Sequence, residues 1–256
     1  MPNTVSPALK ALLDRFIDYA GIFPPAKLSL DAALENFGKY QSGDHSWMLH
    51  WLVVGSEQAQ LVSKAFDGAM SVIAETDDAR AASLETKAVV SAPKPVYCEV
   101  SIGNTELLDA IKESGCFAKI RTGGLKPEAI PSTSDVAAFV AACADRKLAF
   151  KATAGLHHPI RALHPLTYEA DAPQAVMHGF LNVLLAACFA WHGDREIEPI
   201  ISETNPSNFR FDERAHWKNK SLSVSEIQNA RLNFMHSVGS CSFDEPVHDL
   251  QSLGLL

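Results

Sequence analysis

Positive charge is scarce in this chain. Its 256 residues carry 22 Lys and Arg against 30 Asp and Glu, a formal charge of -8, and no basic stripe gathers the few cations. Nucleic acid is therefore excluded as an expected partner. Cysteine is sparse and scattered. Cys98, Cys116, Cys143, Cys188 and Cys241 are odd in number and never form C-x-x-C, which argues against a disulfide framework or a zinc knuckle and leaves reduced thiols. Long apolar runs are missing too: the longest, Ala175 to Trp191, falls short of a bilayer span and contains His178, Gly179 and Asn182. It reads as a buried helix, and no membrane partner is expected. The N-terminal stretch through Gly21 is interrupted by Asp14, Arg15 and Asp18, without the continuous apolar core of a signal peptide. A cytoplasmic protein is the expectation. No strand is followed by G-x-G-x-x-G, and neither a solenoid repeat nor a low-complexity linker occurs.

What is present is hydrophobic substance, 47% of residues, enough for a full core in one large domain or two small ones. Ser6-Pro7 starts a helix whose buried face carries Leu9, Leu12, Leu13, Phe16 and Ile17, with a capping hydroxyl followed by proline at the first helical position. Gly21, Pro24 and Pro25 then break the chain, and a second helix begins near Ser29 with Ala33, Leu34, Phe37 and Tyr40 inward. From residue 48 the grammar changes. Short apolar runs end in Gly, Ser, Thr or Asn and pass into helical stretches: MLHWLVV into GSEQAQLVSKAF, MSVIAE into TDDARAASLE, YCEVSIG into NTELLDAIKESG, and FAKIRTGG into STSDVAAFVAACADR. LAFKATAG leads by a longer connection to the helix from Ala175. Beyond Gly193, Ile197, Ile200 and Ile201 are spaced as a helix, NFRFD alternates as a strand, Ser223 to Glu226 forms a capping box, and SVGSCSF precedes a terminal helix at EPVHDLQSLG.

Eight strands are expected, at 48–54, 70–75, 87–92, 96–102, 117–121, 149–154, 208–212 and 237–243. Eight strands with helical crossovers predict an irregular α/β fold of the (β/α)8 TIM-like barrel type, one domain over 1–256 with a helical segment 1–45 packed on it. The weak join is APKP between the third and fourth strands, too short for a parallel crossover. An open doubly wound sheet is the alternative.

In a barrel, the carboxyl ends of the strands share one face, and polar residues there form a common site. Strand alternation sends Tyr97, Glu99 and Ser101 to one side, and likewise Lys119 with Arg121 and Lys151 with Thr153. Lysine is rarely buried and is depleted from strands, so the two lysine strands FAKIRTGG and LAFKATAG are unusual. Burial of Lys151 beside a cation such as Lys119 or Arg121 is expected to lower its pKa and leave a neutral amine, the nucleophile of Schiff-base enzymes, with Glu99 moving protons. The plainer reading is that a lysine pairs with Glu99 or points to solvent at the rim.

The pair AKIRTGG and FKATAGLHHPIR resembles the lysine strands of class I aldolases of the deoxyribose-phosphate aldolase type, and GSCSF resembles the Gly-Ser turn with which such barrels hold a phosphate. The resemblance implies that Lys119 is the Schiff-base lysine and Lys151 the lysine that tunes it, whereas the residues alone favour Lys151 as nucleophile. A wider set of segments, YAGIFPPA, KATAGLHHP and GSCSFDEP, resembles a group of uncharacterised bacterial proteins and implies no activity.

A rival constellation lies in the histidines. His157, His158 and His178 with Glu99 offer nitrogen and oxygen ligands for a divalent metal, His178 and Asn182 being four apart on one helix face. No H-E-x-x-H or H-x-H supports it, and HHP also reads as an ordinary loop. Arg121 with its following glycines, and Gly239, Ser240 and Ser242, are candidate anion holders, with ordinary turn glycines as the plainer reading. Cys241 reads as a buried strand cysteine before a nucleophile, and Trp47, Trp51, Trp191 and Trp217 as core or interface, which leaves room for a homo-oligomer. The expectation is an enzyme of lyase or aldolase type acting on a small polar or anionic carbonyl compound. Lys151, Lys119 and Glu99 are its catalytic candidates, Arg121, Thr153, His157, His158, His178, Asn182, Gly239, Ser240 and Ser242 its binding candidates, and it uses no cofactor. Metal-dependent lyase, isomerase or hydrolase chemistry and a non-catalytic anion-binding barrel are the alternatives.

Overall fold

The computed structural model describes residues 5–62, 66 and 68–256. Seven parallel strands follow one another around a barrel: β1 (Ile17–Tyr19), β2 (Leu49–Gly55), β3 (Met70–Ile73), β4 (Ser83–Thr86), β5 (Val96–Val100), β6 (Phe117–Arg121) and β7 (Phe150–Thr153). Two insertions then leave the barrel, a hairpin of β8 (Ala162–Pro165) and β9 (Gln174–Met177) and an antiparallel sheet of β10 (Phe209–Phe211), β11 (Arg214–Trp217) and β12 (Lys220–Ser223). Strand β13 (Met235–Ser240) closes the barrel between β7 and β1. The protein is a (β/α)8 TIM-like barrel, and the open sheet is ruled out by that closure.

The helices are α1 (Pro7–Leu13), α2 (Leu30–Ser42), α3 (Ser56–Leu61), α4 (Glu106–Glu113), α5 (Thr133–Asp145), α6 (Phe180–Trp191), α7 (Glu198–Ile201), α8 (Val224–Asn233) and α9 (Asp244–Ser252). Their starts follow local chemistry. Ser6 and Ser29 accept the backbone N–H of Leu9 and Ala32, and Ser132 with Asp135 and Ser223 with Glu226 close reciprocal capping boxes. In the expected helix GSEQAQLVSKAF, Ser63, Lys64 and Ala65 lie outside the described residues, as do residues 1–4 of the expected segment 1–45.

Three strand assignments are corrected. The first barrel strand lies inside segment 1–45, where only helix was expected. Helix α1 ends with Asp14 as its C-cap, Arg15 takes a left-handed φ of 47°, and the buried Phe16 leads into a buried strand, Ile17–Tyr19, too short for periodicity to reveal. The fourth strand is SLET at Ser83–Thr86 rather than 87–92, and its residues are all buried. Lys87, Ala88 and Val89 are exposed instead, so the join to β5 is the whole loop 87–95 and the short APKP crossover does not arise. TDDARAASLE is accordingly not a helix: its end is β4. The third correction is NFRFD, which pairs antiparallel in the insertion, Phe209 opposite Trp217, while β13 supplies the eighth barrel strand. Helix α6 begins at Phe180, because residues 174–177 form β9. His178 therefore precedes the Gly179 cap and shares no helix face with Asn182.

Helix α1 packs against α8 and the inserted sheet, where the Ala8 N–H donates to the Asp212 carbonyl at 3.2 Å. Helix α6 is buried along nearly its whole length, sealed by its neighbours α5, α7 and α8. Among the described residues, no helix is long and apolar enough to cross a membrane.

Candidate active site

Parallel pairing in register places Glu99 beside Lys119 and Lys119 beside Lys151. Adjacent strands lie ~4.8 Å apart, so the two lysines rise into the barrel side by side. Between their ammonium groups sits Glu85 of β4. Lys151 Nζ donates to Glu85 Oε1 at 2.7 Å, and Lys119 Nζ donates to Glu85 Oε2 at 3.2 Å. Each lysine has a second carboxylate of its own: Asp18 of β1 accepts from Lys151, and Glu99 Oε2 lies 3.0 Å from Lys119 Nζ.

The layer is closed by further hydrogen-bonding groups. Asp18 accepts from Ser237 Oγ at 2.6 Å and from the Trp51 N–H at 3.3 Å, and is 2.8 Å from His50 Nδ1. Glu85 accepts from Ser71 Oγ at 3.0 Å, which in turn accepts from Ser83 Oγ at 2.9 Å. Every barrel strand thus sends a polar group to this layer. Such satisfaction is what makes buried charge tolerable, since each unmatched group would cost its desolvation in full.

The pKa directions follow. Burial opposes the charge of Lys151, but Asp18 and Glu85 overcome it and raise the pKa above the ordinary lysine range. This corrects the expectation that burial would leave Lys151 a neutral amine. Burial likewise opposes ionisation of Asp18 and Glu85, and the lysines override it: Lys151 for Asp18, and Lys151 with Lys119 for Glu85, holding both carboxyls below their usual range. Lys151 Nζ also stands 5.3 Å from the centre of the Tyr97 ring, a cation–π contact that completes its enclosure.

Above this layer a cavity of about 330 Å³ opens at the carboxyl ends of the strands. Lys119 and Glu85 are at its floor, and Lys151, with no exposed surface, is not in its wall. Arg121 and Thr153, one step further along β6 and β7, line it, as do His157, His158 and Gly239. Arg121 is exposed, borders a second cleft beside Glu99, and makes no side-chain hydrogen bond or ion pair among the described residues. The far wall comes from the β8–β9 excursion and the start of α9, where Tyr168 Oη donates to Glu245 Oε2 at 3.2 Å. The remainder is largely hydrocarbon, from Phe23, Pro24, Pro25, Leu125, Leu166 and Met177.

The other sequence candidates have partners within the chain. His157 Nδ1 is 3.0 Å from Ser240 Oγ, and burial with the neighbouring His158 and His164 pushes its pKa down to about 4. His158 Nδ1 is 2.6 Å from Asp249 Oδ2, and its ring stacks on His164. Ser240 Oγ donates to the Ser242 carbonyl at 2.7 Å, and Ser242 Oγ accepts the Glu245 N–H at 3.1 Å. His178 Nε2 is 2.8 Å from the Pro131 carbonyl. Asn182 accepts the Arg161 N–H and donates to the Ile200 and Glu203 carbonyls, tying α6 to its neighbours. Neither residue reaches the cavity. His157, His158, His178 and Glu99 are not brought together, and among the described residues no three His, Cys, Asp or Glu side chains are arranged to hold a metal ion.

Asp18 and Glu85 escaped the sequence reading, although Asp18 lies between Ile17 and Tyr19 in IDY and Glu85 follows Leu84 in SLET. An acidic residue inside a short run of otherwise uncharged residues was the available signal. The cavity, its lysine floor and its place at the carboxyl end of a barrel define a class, the (β/α)8 barrel with a built polar centre. No protein-family model, curated protein or solved structure matches the chain.

Proposed function

We propose that the protein is an enzyme of carbonyl chemistry, a lyase of aldolase type that works through Lys119. The observation that carries this reading is that Lys119 is the amine at the cavity floor while Lys151, its register partner, is sealed beneath it. Addition of an amine to a carbonyl needs access and a base to take the ammonium proton. Lys119 has both: it borders the cavity, and Glu99, with a quarter of its side chain exposed, lies within hydrogen-bond reach. Loss of that proton to Glu99 frees the nitrogen lone pair, attack gives a carbinolamine, and expulsion of water leaves an iminium able to drain electrons from a neighbouring carbon–carbon bond. Lys151 acts as a fixed charge. Its role is to keep Asp18 and Glu85 ionised and Glu85 in place under the reacting amine. This division matches the one that the class I aldolase resemblance implies.

Borohydride trapping with a panel of small aldehydes, ketones and sugar phosphates, followed by peptide mapping, tests it. A reduced adduct on Lys119 is the expected result. An adduct on Lys151, or none with any carbonyl, overturns the reading.

A further inference from the structure

We propose that the carbonyl substrate is a 2-oxo acid, its carboxylate held by Arg121 while its carbonyl carbon meets Lys119. This deepens the Lys119 reading and rests on it. Lys119 and Arg121 are two apart on β6, so they leave the strand on the same side, about 7 Å apart along it. An arginine side chain folded over the cavity mouth spans that rise, and both residues border one cavity. Arg121 is also unspent. The lysines below it are committed to carboxylates, whereas its guanidinium has no partner among the described residues, an arrangement suited to a planar, bidentate anion.

The position of the charge follows from what the other walls lack. A substrate with a distant phosphate needs cations or free N–H groups across the cavity; that side presents the Glu245 carboxylate with Tyr168 bonded to it, and the two histidines in the wall each face a carboxylate through Nδ1, His157 with Glu245 at 3.7 Å and His158 with Asp249 at 2.6 Å. The Gly-Ser turn is not open either, because Ser240 and Ser242 are satisfied within the chain. Asp244 and Glu245 in the first turn of α9 further oppose an anion there. Of the glycines after the lysine strands, Gly123 and Gly155 pack tightly on each other: a Cβ on Gly155 would fall 2.9 Å from the Gly123 Cα. A ligand's negative charge therefore belongs beside β6, one bond from the carbonyl carbon that Lys119 attacks, with the hydrocarbon walls covering the rest.

The chemistry balances without a further reactant. Lys119 Nζ, its first proton passed to Glu99, adds to C2 of the oxo acid; the C2 oxygen takes up a second proton from the nitrogen and the one held by Glu99, the C–O bond breaks to release water, and the C=N bond of the iminium forms. Pyruvate, methyl pyruvate and acetone separate the carboxylate from the carbonyl. The concentration giving half-maximal borohydride trapping on Lys119 is measured for each in the wild type, R121Q and R121K, with circular dichroism as the check on folding. Pyruvate is expected to trap at a concentration roughly tenfold or more below acetone and methyl pyruvate. The pyruvate-to-acetone preference should collapse in R121Q and return in part in R121K. Equal trapping of the three carbonyls, an unchanged preference in R121Q, or better trapping of glycolaldehyde phosphate than of pyruvate would each overturn the carboxylate assignment while leaving amine catalysis standing. Absence of trapping by every carbonyl removes both.

Discussion

Strands β6 and β7 carry the same local pattern, an apolar run, a lysine, then Thr and Gly, and their lysines are register partners. Their surroundings divide them. Lys151 is fully enclosed, bonded to Asp18 and Glu85 and backed by the Tyr97 ring, while Lys119 shares Glu85 but reaches the cavity floor and has as its second carboxylate Glu99, which borders the neighbouring cleft. Burial alone argues for a neutral lysine, yet the more buried one is held charged. Desolvation of the ammonium is outweighed by two ionised carboxylates at contact distance, so partner count decides the charge state, and cavity access decides which amine can react.

The largest expected effect breaks this comparison directly. Lys119→Ala should abolish the borohydride adduct and lower turnover of any substrate found by trapping at least about a thousandfold, the scale on which a covalent nucleophile is missed. Glu85 keeps Lys151 and Ser71 as partners in that variant, so the fold should survive, as a cooperative urea transition would show. An adduct transferred to Lys151 would erase the distinction between the strands.

Lys151→Met should act on stability instead. It strands Asp18 and Glu85 without their shared cation, and breaking a buried pair from one side costs about 3–5 kcal/mol. Equilibrium urea unfolding measures this. A loss below about 1 kcal/mol, the scale of exposed ion pairs, would show that Lys151 is not the closed member of the pair.

Much of this was legible in the sequence, and the misses have physical causes. FAKIR and LAFKAT declare themselves as strands because a polar residue interrupts a dense apolar run and a Gly-bearing turn follows, and the inward pairing of Lys119 with Arg121 and Lys151 with Thr153 follows from alternation. The capping hydroxyls of Ser29 and Ser223 gave their helices away for an equally local reason. Strand β1 was hidden because Ile17–Tyr19 is shorter than any period and continues the apolar face of α1. Strand β4 was hidden because Ala81 to Glu85 also suits a helix and Val89-Val90 nearby makes a more conspicuous apolar pair. The two carboxylates that govern the lysines lie on those two strands. Their partnership spans the barrel, Asp18 with Lys151 and Glu85 with both lysines, and no local pattern encodes contacts so far apart in the chain.

The pH dependence of stability sharpens the contrast at smaller scale. Asp18 and Glu85 have folded pKa values below their unfolded ones, so their contribution is present above the ordinary carboxylate range, near pH 4, and is lost as pH falls through the lowered values. Lys151 has a raised folded pKa, so its contribution is complete below the ordinary lysine value, about 10.4, and is lost as pH rises beyond it. Between these limits the layer contributes a plateau. Below about pH 4, the unfolding free energy from urea titration should fall by an amount on the order of 1–3 kcal/mol in the wild type. In Lys151→Met the fall should be weaker, because the carboxyls then lack the cation that holds them ionised; an equally steep acid limb would place the effect elsewhere.

The smallest effect separates the turns that follow the two lysines. Gly123 and Gly155 approach so closely that a Cβ on either would lie 2.9 Å from the other's Cα, so alanine at each forces the β6 and β7 turns apart. Only Gly155 also has a left-handed backbone, with φ of 81°, and a non-glycine residue there adds about 1–2 kcal/mol of strain. Gly155→Ala should therefore be less stable than Gly123→Ala by roughly 1 kcal/mol in urea unfolding, the shared clash cancelling in the difference. Equal losses would mean that the approach of the turns, rather than the backbone of the β7 turn, sets the cost. A larger loss at Gly123 would reverse the order and make the β6 turn, which follows the exposed Arg121, the more constrained of the two.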